Sequence, residues 1–196
     1  MNFSVISKKL TKGLTEEFEF SEDKKEIIAY AIETTFLSII GTIMIVCLAY
    51  SLNVLIPAVI AAVFGGLLRR LSGGAHFNTP LKCLVYGALI YSSIGVLAKK
   101  LLIYELINQN MLTLILLVSL LLVSLLAPVD SDAKPIHSRR LRIKLKISSI
   151  GFVLISLLLI SVTDDPLINV SAVLGVLYQS ITLLPIFNRK GGENSL

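Results

Sequence analysis

Apolar residues in this chain gather into long runs separated by short polar stretches, and the length of the runs decides what they are. Ile27 to Leu52, Leu81 to Ala98, Met111 to Ala127, Ile147 to Val162 and Pro166 to Phe187 each form such a run. At 1.5 Å per residue, helices of this size approach or exceed the roughly 30 Å of a bilayer's hydrocarbon core. Asn53 to Leu68 is shorter and carries Pro57 near its start. A short span thins the bilayer or draws its flanks inward, so the polar stretch that follows is expected at or below the headgroup plane. Ala58, Ala62 and Gly66 fall four apart in this short run, a spacing that lets another helix approach closely. The pattern predicts an all-α polytopic membrane protein of about six transmembrane helices.

A different period precedes the first run. Phe3, Ile6, Leu10, Leu14 and Phe18 recur at steps of three or four, with Lys8, Lys9, Lys12, Glu16 and Glu17 around the rest of the wheel. This predicts an amphipathic helix, lying in the membrane interface or packed on the protein itself. The chain thus divides into a cytoplasmic or interfacial segment at 1–26, a six-helix domain at 27–187 with a polar loop at 69–83, and a mobile tail at 188–196. Residues 1–26 are charged throughout, so the first spanning helix is expected to direct insertion.

Composition agrees: 55% of the 196 residues are hydrophobic and 16% charged, with a mean hydropathy of +0.83. These values lie outside the range of soluble domains. The net charge of +5 does not indicate nucleic acid, because the basic residues stand between apolar runs and not in one patch with stacking aromatics. With six spans, 16 of the 18 lysines and arginines fall on one side, leaving Lys99 and Lys100 on the other. The positive-inside rule then places both termini, the 69–83 loop and the basic stretch at 129–146 in the cytoplasm.

Candidate chemistry is concentrated in that loop. His76 and Cys83 stand seven positions apart, and an imidazole beside a thiol is the minimum equipment for nucleophilic catalysis. Gly73 and Gly74 permit sharp turns before His76. Thr79 and Pro80 suit the cap and first position of the next helix, which puts Cys83 in its first turn. Exposed amides and the positive end of the helix dipole favour a thiolate there, and Lys82 adds charge. Cys47, in an apolar run, reads as inert packing. No second Cys/His pair completes a zinc site. An incidental loop remains the alternative, since a lone His and Cys often fall this close by chance.

The order Arg69, Gly74, His76, Cys83, then a leucine-rich span, Pro128, the Lys134-Pro135-Ile136 run and a basic cluster resembles the accessory gene regulator B (AgrB) family over nearly the whole chain. The resemblance implies a multi-pass cysteine endopeptidase of the bacterial cell membrane. Such a protein trims a short quorum-sensing precursor and promotes its cyclisation to a thiolactone. By that match Cys83 is the nucleophile and His76 the base, with Arg69 and Gly74 needed nearby. No Asp or Asn partner for His76 follows from it. The implied partners are an AgrD-like precursor peptide and membrane lipid, with a homodimer left open, no nucleic acid, and neither cofactor nor metal. Glu33, Lys134, Arg139 and Arg140 are candidate substrate contacts. A rival reading makes the chain a small transporter or exporter that uses Glu33 as a coupling group. A third makes it a structural membrane partner.

Overall fold

The computed structural model describes residues 22–74, 79–129 and 138–188. It contains six α-helices: α1 (Glu22–Ser51), α2 (Leu55–Ser72), α3 (Pro80–Ile103), α4 (Gln109–Leu126), α5 (Arg139–Val162) and α6 (Pro166–Ile181), followed by a 3-10 turn at Pro185–Phe187. The described residues contain no strand. Five helices are long and apolar enough to cross a membrane, and α6 is a shorter apolar helix of 16 residues. The predicted amphipathic helix at 1–20 and the mobile tail beyond Asn188 lie outside the described residues.

The shortest helix is the central one. α6 packs against α2, α3, α4 and α5, while α1 lies at the rim on α3 and α2. Every residue of α6 from Asn169 to Val176 is buried, as expected of a helix enclosed on all sides. The outer faces carry exposed Ile39 and Ile43 on α1, Leu114 and Leu121 on α4, and Leu154 and Leu158 on α5. Apolar belts of this extent suit lipid and not water.

Polar links hold the two ends of the bundle. At one end Lys99 Nζ donates to the Asn53 carbonyl. Nearby, Gln109 Nε2 donates to Ile160 O at 2.8 Å, and Asn169 Nδ2 to Thr163 O at 2.8 Å. At the other end Gly73 and Val129 form an isolated parallel bridge, joining the exit of α2 to the exit of α4.

Several helices outrun their apolar cores. α2 continues past Leu68 through Arg69 and Arg70 because Leu68 and Ser72 are both buried, and Ser72 Oγ bonds back to Leu68 O at 2.9 Å. α3 passes through Lys99 and Lys100, and α5 begins in the basic stretch at Arg139. Thr79 precedes α3 without a side-chain capping bond, whereas Asn108 and Asp165 cap α4 and α6.

The small-residue stripe is displaced from the expected one. Ala58, Ala61 and Gly65 are buried on α2, Ala62 is half-buried, and Gly66 meets open space. The cause is Gly175 of α6: a Cβ there would stand 2.4 Å from Ala61 O, and one on Gly65 would stand 2.9 Å from Gly175 O. Small residues on both helices set the contact, so the spacing on one alone misplaces it. Gly175→Val is expected to destabilise the fold by about 1–3 kcal/mol or more, read as a lowered thermal midpoint in detergent against an unchanged Gly66→Ala control.

Candidate functional site

At its C-terminal end α2 stops at a pair of glycines, each with a positive φ: Gly73 at 69° and Gly74 at 129°. Gly73 N donates to Arg69 O at 3.0 Å and closes the last turn, while Val129 N donates to Ser72 O at 2.9 Å. A Cβ on Gly73 would lie 2.2 Å from Val129 O. One on Gly74 would lie 2.9 Å from Thr182 Oγ1 and 3.0 Å from Gln179 Nε2. Gly73 therefore requires glycine twice over, for backbone conformation and for space, and Gly74 requires it for conformation.

The surface under this pair is the C-terminal end of α6. Gln179 is buried; its Nε2 donates to Gly73 O at 2.7 Å and to Ser72 Oγ at 3.2 Å. Its Oε1 is buried with no hydrogen-bond partner among the described residues. Thr182 Oγ1 donates to Gln179 O at 2.7 Å, which closes the set. The chain then leaves Gly74 for residues 75–78, so His76 lies outside the described residues. So does Asn78.

The description resumes at Thr79 and α3. Cys83 N donates to Thr79 O at 3.3 Å, so the thiol sits one turn into the helix, where the sequence placed it. Cys83 is half-buried and Lys82 exposed. Further along α3, the Tyr91 ring meets the Tyr178 ring of α6 edge-on, with centroids 5.8 Å apart and planes at 81°. Arg69 and Cys83 are each close enough to act electrostatically on both phenols. Arg69 of α2 and Cys83 of α3 thus lie on the side of the bundle that holds the Tyr91–Tyr178 pair, and the Tyr91 hydroxyl packs where a Cβ on Gly65 would fall, eight residues before Gly73.

Other candidates fall elsewhere. Gly41 of α1 packs on Leu84, so α1 and α3 are level there. Glu33, eight residues earlier, is about 12 Å farther along α1, beyond the start of α3 and away from the middle of the bundle. It is half-buried, at a rim position ill suited to a central coupling group. Cys47 is exposed on the outer helix. Arg139 and Arg140 are exposed in the first turn of α5, and Lys134 lies outside the described residues. Among the described residues no three His, Cys, Asp or Glu side chains come together as metal ligands.

Gln179, Ser72, Thr182, Tyr91 and Tyr178 were not singled out by sequence reasoning. An amide and a phenol inside an apolar run were the available signal, because polar side chains at that depth face protein. Gly73→Ala is expected to break the Val129 bridge and cost about 2 kcal/mol or more, from left-handed backbone strain plus overlap. Thermal unfolding in detergent measures it.

Comparison with known proteins places this architecture. The family model described as accessory gene regulator B matches residues 7–183. A putative AgrB-like protein of Clostridium perfringens (strain SM101 / Type A) is 27% identical over 196 residues, covering 93% of this chain and 92% of its own. The accessory gene regulator protein B of Staphylococcus intermedius is 33% identical over 143 residues, 73% of each chain. That of Staphylococcus aureus (strain MRSA252) is 29% identical over 151 residues, 76% of each. No solved structure matches. With a family model covering residues 7–183 and a relative 33% identical across 73% of each chain, the chain belongs to the accessory gene regulator B family.

Proposed function

We propose that this protein is a membrane-embedded cysteine endopeptidase of quorum sensing, which removes the C-terminal part of a short precursor peptide and promotes its closure to a thiolactone. The observation that carries the reading is the setting of Cys83. It is a half-buried thiol one turn into α3, nine residues beyond a glycine pair whose backbone the fold constrains, and like Arg69 it lies within electrostatic reach of the Tyr91–Tyr178 pair. Membership of a family named for accessory gene regulation supports the same reading.

The chemistry follows from the groups assigned. His76 takes the proton of the Cys83 thiol, and the sulfur attacks a precursor carbonyl. The C–N bond breaks, the departing amine takes the proton back from His76, and a thioester remains on Cys83. A thiol within the precursor then attacks that thioester. Cys83 leaves, its thiol restored, and one thioester replaces another of similar energy as the ring closes. Water would release a linear acid instead, so a site enclosed by helices and lipid favours the ring. The basic first turns of α5 suit an acidic part of the precursor.

Two experiments test the reading. In cells co-expressing a precursor peptide, Cys83→Ala is expected to abolish cleavage and His76→Ala to lower it about 10²- to 10⁴-fold, with both variants inserted normally. Cys47→Ala should cleave at the wild-type rate. Mass spectrometry of the peptide checks this, and wild-type cleavage by Cys83→Ala would sink the enzyme.

Sidedness is tested separately, because the precursor is made in the cytosol and must meet the thiol there. Ser138 immediately precedes α5 and Asp164 follows its end, so the two positions stand at opposite ends of one helix. In a Cys47→Ala, Cys83→Ala background, a membrane-impermeant maleimide should label Asp164→Cys in intact cells. Ser138→Cys should label only after lysis. Labelling of Ser138→Cys from outside would reverse the assignment.

A further inference from the structure

Gln179 is a polar side chain of uncommon placement. It is wholly buried near the end of the central helix, it holds a loop on another helix, and one of its two polar atoms has no partner among the described residues. A buried acceptor left without a donor costs about 1–3 kcal/mol, a cost that methionine of similar length would avoid. The amide therefore needs a reason to be there, and the bond from Nε2 to Gly73 O at 2.7 Å supplies it. Nothing else among the described residues bonds that carbonyl except Ser72 Oγ, at 3.3 Å. The Gly73 carbonyl belongs to the peptide unit shared with Gly74, and two residues beyond Gly74 the chain reaches His76.

We propose that Gln179 is the positioning residue for the catalytic base: its amide orients the Gly73–Gly74 peptide from which the segment carrying His76 departs. This rests on the endopeptidase reading above. Gln179 itself touches no reacting atom. Its effect passes through the peptide plane it holds, because rotation of that plane would change the direction in which the chain leaves Gly74. Thr182, bonded to the Gln179 carbonyl and packed where a Gly74 Cβ would fall, completes the same mount.

The test measures kcat and KM for cleavage of a synthetic precursor by detergent-purified, full-length protein. Gln179→Met keeps the length and loses the donor. It is expected to lower kcat about 10- to 100-fold, the scale of a misplacement near 1 Å, with KM within about twofold because no substrate contact is removed. Ser72→Ala removes the 3.2 Å bond to Gln179 Nε2, the long 3.3 Å bond to Gly73 O and the bond back to Leu68 O, but it leaves the 2.7 Å bond from Gln179 in place and should change kcat far less.

Gln179→Glu supplies the discriminating measurement. A protonated carboxyl can donate to Gly73 O as the amide does, and a carboxylate cannot. The groups this side chain meets, Ser72, Gly73 and Gly74, are uncharged, and the titratable groups on the elements packed around it are Arg69 of α2, Cys83 and Tyr91 of α3 and Tyr178 of α6. The ratio of Gln179→Glu to wild-type kcat should therefore rise as pH falls, while the ratio for Gln179→Met stays flat. Taking ratios to wild type removes the pH dependence that the two proteins share.

A wild-type kcat in Gln179→Met overturns the proposal, and so does a flat ratio in a folded Gln179→Glu protein. If Gln179→Met fails to extract as a folded protein, the pH ratio of Gln179→Glu decides. A wild-type protein that does not cleave at all would instead count against the endopeptidase reading, and the two failures are told apart by the Cys83→Ala control.

Discussion

The close approach of α6 to α2 is the contact on which the rest depends. In lipid the hydrophobic effect does little to bring helices together, because the surrounding tails are as apolar as leucine. Association rests on packing and on backbone proximity. Gly175 against Ala61, with Gly65 against the Gly175 carbonyl, supplies that proximity. A helix of only 16 residues can then sit at the centre of the bundle, touching four others. Its C-terminal turn arrives under the exit of α2, so Gln179 and Thr182 reach the glycine pair. The site is a consequence of that depth of contact.

Membership of the bundle was legible in the sequence because the bilayer imposes a length on every span, and that length shows directly as an apolar run. Boundaries were less legible. Arg69, Lys99 and Arg139 read as loop residues, yet each lies within a helix. Long basic side chains can lie along a helix end and reach outward, so a charge does not stop a helix at the interface. The displaced stripe on α2 shows a second limit, since half of the contact is written on α6, more than 100 positions away.

For the site, the local part was readable and the long-range part was not. Cys83 one turn into α3 follows from Thr79-Pro80, although Thr79 does not use its hydroxyl as a cap. Gly73 and Gly74 announced a turn. Nothing in the local sequence announced that Gln179 would hold it, because the link joins residues 106 positions apart. For Glu33 an acid within an apolar run left the depth open, and the level of α1 against α3 puts it toward the end of the bundle. The partner of the imidazole in His76 and the reach of Lys134 stay with the proposal, as both residues lie outside the described part of the chain.

The fixed ends of the 75–78 stretch have a kinetic meaning for the proposed chemistry. Gly74 is anchored on α6 and Thr79 immediately precedes α3, and only four residues separate them. A chain of that length reaches at most about 18 Å, so His76 and Cys83, as the proposed base and nucleophile, would form an intramolecular pair. The closure entropy of so short a loop is small and is met once, when the helices assemble. In the proposed reaction each turnover would then begin with the two groups already confined to a common volume, and the search that remains would belong to the peptide.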